Sequence, residues 1–112
     1  MVTEEDRKIL TEFQFFQQQL QAIVMQKENL KVQNLELNVA LDELEKTKEK
    51  DALKIVGPIL IKKSITELKK EMQDKKEDIN VKIKTLEQTE EKITSKIKEL
   101  EPKVREILKI KE

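Results

Sequence analysis

The side chains available for chemistry are acidic and basic, because the sequence contains neither histidine nor cysteine. Adjacent carboxylates, such as Glu4 with Glu5 and Glu90 with Glu91, are of the residue type that serves general acid–base catalysis. However, Lys and Arg total 23 and Asp and Glu total 23, interspersed throughout the chain. On a surface this charged we interpret such carboxylates as solvated positions. We therefore predict no catalytic residue and a protein that is not an enzyme.

Cofactor and metal sites are also not expected. Without thiolate or imidazole side chains, the common ligands of zinc and related metals are missing. A loop that cradles phosphate needs several glycines, and Gly57 is the only glycine of the chain. We predict no metal and no cofactor, nucleotides included.

The balance of charge bears on partners and location. No basic stripe is available to follow a phosphate backbone, so we expect no nucleic acid partner. No apolar run approaches the length of about 18 residues that a membrane span requires, and the start of the chain does not resemble a signal peptide. We expect no membrane association and a cytoplasmic location.

Two long segments have apolar residues at every third or fourth position, the spacing of a coiled-coil seam. In the first segment the heptad register is interrupted only by Lys27 and Asn34 at position a. The first seam consists of Phe13, Phe16, Leu20, Ile23, Leu30, Leu37, Leu41 and Leu44. The second consists of Ile65, Met72, Ile79, Ile83, Leu86, Ile93, Ile97, Leu100, Val104 and Ile107.

Between the segments the apolar period changes to two, which is typical of β-strands. Gly57 and Pro58 suit a two-residue hairpin loop, with Gly57 at positive φ and Pro58 at its fixed φ. Strands are then expected at about 53–56 and 59–63. The predicted cross-strand pairs are Val56 with Ile59, Ile55 with Leu60, Lys54 with Ile61, and Leu53 with Lys62.

Both faces of this ribbon are apolar near the turn. An isolated two-stranded ribbon is marginal in water and has two open edges, so we expect it to pair with hairpins of other chains. The alternative is a local cap that folds onto its own helices, which leaves the two apolar faces unexplained. The predicted fold is mainly α: a long antiparallel two-helix coiled coil with a central β-hairpin at the bend.

Apolar residues outside the seam indicate a contact surface near the chain ends. Phe15 falls at heptad position c, where a soluble coiled coil normally carries a polar residue, and Leu108 and Ile110 lie beside the second seam. The alternative is that Phe15 and its neighbours pack against Leu108 or against a second coiled coil, or that the helix shifts phase there. Pro102 falls inside the second seam, so the last turns are expected to bend or detach. A further outward apolar line on the first helix comprises Val24, Met25, Val32, Leu35 and Val39.

The segment from Leu53 to Lys62, read as Leu-Lys-Ile-Val-Gly-Pro-Ile-Leu-Ile-Lys, resembles the central hairpin of the β-type prefoldin subunit. The run from Phe16 to Gln21 is similar to the glutamine-rich first helix of that family. The resemblance covers essentially the whole chain. It implies a single prefoldin-like domain over 1–112, with helices at about 4–48 and 64–111 and a hairpin at 52–63.

The resemblance implies an ATP-independent holdase chaperone, assembled through its hairpins into a hexamer of two α-type and four β-type subunits. The partners implied are α-type prefoldin subunits, other copies of this chain, unfolded polypeptides and a group II chaperonin. The assembly residues carried over by position are Leu53, Ile55, Val56, Gly57, Pro58, Ile59, Leu60 and Ile61. The client-binding residues are Phe13, Phe15, Phe16, Leu20, Val104, Ile107, Leu108 and Ile110.

A structural coiled-coil scaffold or spacer is the main alternative function. Such a protein would dimerise along its helices and dock one dedicated partner on its outward apolar line. Replacing Ile55 and Leu60 by charged residues separates the two functions, because a scaffold would tolerate the change and a hairpin-assembled hexamer would not.

Overall fold

The computed structural model describes residues 2–111 and the side chains of residues 2–109. Two long helices flank a two-stranded antiparallel hairpin, so the predicted mainly α fold and its central hairpin are confirmed. In chain order the elements are α1 (Glu4–Lys46), β1 (Asp51–Val56), β2 (Ile59–Ser64) and α2 (Ile65–Lys111).

Helix α1 begins at a reciprocal cap. The backbone N–H of Asp6 donates to Oγ1 of Thr3, and the N–H of Thr3 donates to Oδ2 of Asp6, both at 3.1 Å. Each bond satisfies a backbone donor that the first helical turn leaves unpaired. Glu4, Glu5 and Asp6 place negative charge at the positive end of the helix dipole. This local chemistry explains why the helix begins where the sequence predicts.

Helix α1 ends at Lys46, slightly before the predicted end near residue 48. The hydroxyl of Thr47 accepts a hydrogen bond of 3.2 Å from the backbone N–H of Glu49. A threonine side chain that bonds nearby backbone in this way competes with continued helix. The short connection to β1 therefore begins at Thr47.

The hairpin has the predicted register along both strands. Gly57 has φ of 56°, a conformation that L side chains rarely adopt. The strands are somewhat longer than predicted because Asp51 pairs with Ser64 at the base, where the N–H of Ile65 also donates to the carbonyl of Lys50 at 2.9 Å. Ser64 then caps α2, since its hydroxyl accepts a bond from the N–H of Glu67 at 3.2 Å.

The contacts divide the chain into two compact units, and the first, the hairpin unit, spans residues 29–83. Within it α1 and α2 run antiparallel: Nδ2 of Asn34 donates to Oδ1 of Asn80 at 2.7 Å, and Lys69 pairs with Glu45 at 3.1 Å. The buried residues of this unit are Ile65, Leu68 and Ile79. The predicted seam omitted Leu68, which lines a 160 Å³ cavity together with Leu37, Lys54, Glu71, Met72 and Lys75.

The terminal unit consists of residues 1–28 and 84–112. Ile93, Val104 and Ile107 are its buried seam residues. Pro102 lies inside α2, but the helix does not end there, and the residues beyond it pack into the seam. An interior proline costs about 3 kcal/mol, and burying two aliphatic side chains contributes about 1.5–3 kcal/mol each. The last turns do not detach as expected, because the burial of Val104 and Ile107 offsets the cost of the proline.

Candidate functional site

The outward face of the hairpin is apolar and exposed. Strand alternation places Leu53, Ile55 and Leu60 together on this outer face, with 63%, 75% and 61% of their surfaces accessible. Lys62 completes the face beside Leu53. An exposed patch with three large aliphatic side chains on one short ribbon is typical of a protein-interaction surface.

The opposite face of the hairpin, the inner face, is apolar near the turn and polar near the base. Val56, Ile59 and Ile61 are exposed next to the turn. Nearer the base, Lys54 and Lys63 bond to one carboxylate of α2, that of Glu71, with 2.9 Å between Nζ of Lys54 and Oε2 of Glu71. Hydrogen bonds from Lys63 and then Lys54 hold the pKa of Glu71 below its ordinary value of 4.5.

The two strands of the hairpin form a two-stranded sheet within the described part of the chain. Each strand pairs along one side and has an open edge along the other. An open edge presents backbone N–H and C=O groups that another strand satisfies by extending the ladder. The hairpin thus presents two apolar surfaces and two pairing edges.

A second apolar surface lies in the terminal unit. Phe15 is 53% exposed, and its ring centroid lies 5.9 Å from that of Phe16 with the rings tilted by 57°. Leu108 is 48% exposed. These two side chains are the described client-binding candidates that α1 and α2 leave largely open to solvent.

Five of the other predicted client-binding residues occupy the helix–helix seam. Val104 and Ile107 are buried. Phe13, Phe16 and Leu20 are half-buried, as expected for positions a and d. The side chain of Ile110 lies outside the described residues. A role in client binding stays a prediction for all of them, and the buried Val104 and Ile107 need the helices to separate before they become accessible.

The outward apolar line of α1 is exposed as expected. Val24 and Met25 belong to the terminal unit, and Val32, Leu35 and Val39 belong to the hairpin unit. Met25, Val32 and Val39 are seven residues apart, at heptad position f on the side of α1 away from its seam.

One carboxylate predicted to be solvated has a structural partner. Oε2 of Glu90 accepts a hydrogen bond of 2.9 Å from Nζ of Lys27, and only 28% of the Glu90 side chain is exposed. The expectation was wrong for Glu90 because its pairing depends on which residue of α1 lies opposite. A signal was available, since Lys27 interrupts the first seam at an a position.

The described residues also bear on metal binding and membrane insertion. No group of three or more acidic side chains is arranged to hold a metal ion within this part of the chain. Neither of the described helices has a stretch long and apolar enough to cross a membrane.

Comparison with known proteins identifies relatives of this chain. The sequence matches the family described as "Prefoldin subunit" over residues 7–110. The prefoldin subunit beta of Thermococcus onnurineus (strain NA1) is 32% identical over 102 residues, covering 90% of this chain and 88% of that protein. The prefoldin subunit beta of Archaeoglobus fulgidus is 33% identical over 103 residues, covering 91% of this chain and 89% of that protein.

A solved structure agrees with the sequence matches. The crystal structure of the prefoldin beta subunit from Thermococcus strain KS-1 superposes with a TM-score of 0.81 at 29% identity, covering 95% of this chain and 94% of that one. The similarity includes both helices and the hairpin between them, since it spans nearly the whole of each chain. Together with the family match over residues 7–110, this shows that the chain belongs to the prefoldin subunit family.

Proposed function

We propose that this chain is a subunit of an ATP-independent holdase chaperone of the cytoplasm. It assembles through its hairpin into a hexamer with α-type prefoldin subunits and further copies of itself. The hexamer binds non-native polypeptides at the terminal unit and delivers them to a group II chaperonin. The observation that carries the proposal is the exposed apolar hairpin in a chain of this family.

The free-energy cost of leaving the apolar outer face exposed and the strand edges open supports assembly through the hairpin. Two strands alone are marginally stable in water and gain stability from further strands or from packing against a helix. The contact with α2 involves the inner face, which leaves the outer face uncovered. Pairing with other hairpins buries Leu53, Ile55 and Leu60 and extends the ladder at the open edges. At roughly 25 cal/mol per Å² of apolar surface removed from water, such burial is a substantial driving force for association.

Client binding at the terminal unit uses exposed apolar side chains without nucleotide chemistry. Phe15 and Leu108 of one subunit offer a client only a small apolar area, so a single contact with an unfolded chain is weak. Several subunits acting together raise the retention by about 10²–10⁴ over one contact. Release then needs competition or transfer, and no hydrolysis step is required.

A scaffold or spacer function is the alternative, and the outward apolar line of α1 favours it. The exposed residues Val32, Leu35 and Val39 of the hairpin unit repeat at the spacing at which one helix packs on another. A scaffold would use this line for a dedicated partner and would show no preference for unfolded chains.

The proposal is tested by light scattering from a chemically denatured client. The client is diluted, without ATP, into this chain mixed with an α-type prefoldin subunit from the same organism. We expect suppressed aggregation at near-stoichiometric hexamer. The control replaces Ile55 and Leu60 by aspartate, which should abolish both the hexamer and the protection while leaving the helices intact.

Two results would contradict the proposal. Unchanged aggregation in the presence of confirmed hexamer would refute the holdase activity and favour the scaffold. An oligomer that survives the two aspartate substitutions would refute assembly through the hairpin.

A further inference from the structure

The junction between the hairpin and α2 contains a carboxylate bonded to both strands. Nζ of Lys54, on β1, donates to Oε2 of Glu71 at 2.9 Å, and Nζ of Lys63, on β2, donates to Oε1 of the same residue. The two oxygens of Glu71 are thus divided between the two strands. Glu71 itself lies on α2, within the hairpin unit.

The register of the hairpin explains why one carboxylate reaches both lysines. Lys54 pairs with Ile61 and Lys63 pairs with Ala52, so the two lysines are diagonal neighbours on the inner face. Ala52, Lys54 and Lys63 are half-buried, whereas the residues of the outer face are exposed. The base of the inner face therefore lies toward α2, and the outer face lies away from it.

The ribbon joins the helices through two short connections. Strand β2 ends at Ser64 and α2 begins at Ile65, so a single backbone connection sets the angle between them on that side. On the other side, residues 47–50 link α1 to β1. At the base itself, the backbone N–H of Ile65 donates to the carbonyl of Lys50 at 2.9 Å. The bonds to Glu71 are side-chain contacts between the ribbon and α2 beyond this base.

Half-exposed ion pairs contribute little to the free energy of folding, because water solvates the separated charges well. The side chains of Lys54 and Glu71 are 41% and 40% exposed. Two bonds that converge on one carboxylate nevertheless restrict the orientation of the ribbon relative to α2, because both bonds can form only in one such orientation. The arrangement is suited to orientation rather than to stability.

We infer that Glu71 is a positioning residue for assembly: it holds the inner face of the hairpin against α2 and so presents Leu53, Ile55 and Leu60 to the hairpins of other subunits. The inference rests on the proposed function, because it assumes that the outer face is an assembly surface. Without the bonds to Glu71, the ribbon samples other orientations and the competent one is only fractionally populated.

The orientation is tested on the chain by itself by measuring a distance between two spin labels. The chain has no cysteine, so labels are attached at Pro58→Cys in the turn and Glu77→Cys on α2. Double electron–electron resonance should give one narrow distance distribution. Glu71→Lys, which sets three like charges together, should give a broad or shifted distribution. The charge-swapped chain, with Lys54→Glu and Lys63→Glu added to Glu71→Lys, should restore the narrow one.

Asp74→Lys is the matched control. Asp74 is exposed about one turn further along α2 and undergoes the same change of charge. Its distance distribution should equal that of the unchanged sequence. Circular dichroism verifies that helix content is retained, and if Glu71→Lys loses helix, Glu71→Gln takes its place and should broaden the distribution less.

Assembly is measured separately with unlabelled chains and an α-type prefoldin subunit. If the competent orientation falls to about one tenth of the population, the concentration needed for half-assembly rises about tenfold. A distance distribution that does not respond to either change at Glu71 overturns the inference. A broadened distribution with unchanged assembly also overturns the inference, but it leaves the proposed function intact. Failure of the unchanged sequence to assemble refutes the proposed function instead, while the distances still report whether Glu71 holds the ribbon.

Discussion

The amino group of Lys27 lies 2.9 Å from Oε2 of Glu90, within the helix–helix seam of the terminal unit. The Lys27 side chain is only 14% exposed. The hydrogen bond to Glu90 is the main cause that raises the pKa of Lys27 above its ordinary value of 10.5. A charged pair in an otherwise apolar seam favours one alignment of the helices, because a shifted alignment leaves each charge without its partner.

Replacing one member of this pair should destabilise the chain more than replacing both. Lys27→Met leaves the Glu90 carboxylate in the seam without its partner, so the melting temperature should fall. Adding Glu90→Leu should recover most of the loss, since a seam of apolar residues replaces the ion pair. Thermal unfolding followed by circular dichroism measures both. Lys8→Met, at an exposed position of α1, is the control, and a double variant less stable than the single one would contradict the expectation.

Truncation of Leu68 should lower the free energy of unfolding by about 2–5 kcal/mol, the usual cost of a buried Leu→Ala change. Leu68 is only 4% exposed and borders the cavity beside the hairpin. Urea denaturation measures the change. Val39→Ala, at an exposed position of the same unit, should alter the free energy of unfolding by less than about 0.5 kcal/mol. Equal effects would show that Leu68 is not a core residue.

Gly57→Ala should weaken the hairpin by about 1–2 kcal/mol, because an L side chain is strained at a φ of 56°. An added Cβ would meet no atom within 4 Å, so the effect is conformational rather than steric. Hydrogen exchange of the strand amides measures it. Gly57→Asn should be milder, since asparagine tolerates positive φ better than alanine. Equal protection in the alanine variant would exclude a conformational requirement at this turn.

Replacing Phe15 and Leu108 by serine should reduce client retention while hexamer size stays the same. Both side chains are exposed in the terminal unit, so their loss removes apolar contact area without opening the seam. Binding of a denatured client, measured by light scattering, should weaken by several-fold, because each of several subunits loses part of its contact area. Val32→Ser with Val39→Ser is the matched control at exposed positions of the hairpin unit. If both double variants retain clients equally well, Phe15 and Leu108 are not the contact surface.

The hold of Glu71 on the hairpin should be lost at acidic pH. The folded-state pKa of Glu71 is lowered by its bonds to Lys63 and Lys54, so its contribution is present above 4.5 and disappears as pH falls through the lowered value. The spin-label distance distribution should therefore broaden only below pH 4.5. The Glu71→Gln variant should show no such transition. Broadening that begins well above this pH would point to a different titrating group.

The helical seams and the register of the hairpin could be predicted from sequence because both depend on local periodicity. Apolar residues seven apart bury one face of a helix. The loop at Gly57 and Pro58 and the two-residue period of the apolar side chains beside it define one pairing of the strands. Leu68 lies outside the predicted a and d positions, but it is buried near residues of two neighbouring elements, since it lines one cavity with Leu37 of α1 and Lys54 of β1. Phe15 and Phe16 have the same size and polarity, so only their heptad positions predicted that Phe15 is exposed and Phe16 half-buried.

The sequence by itself determined the elements, their order, the turn at Gly57 and the seam residues at a and d positions, since each follows from neighbours within about two helical turns or one hairpin. Only the tertiary structure decided that Glu90 lies opposite Lys27 and that Glu71 bonds both strands of the hairpin. Lys27 and Glu90 are 63 residues apart, and Glu71 lies on a different element from both of its lysine partners. The chain has 23 basic and 23 acidic side chains that could pair. Among so many candidates, the partners are chosen by the alignment of the helices and the face of the ribbon, which depend on the packing of the whole unit.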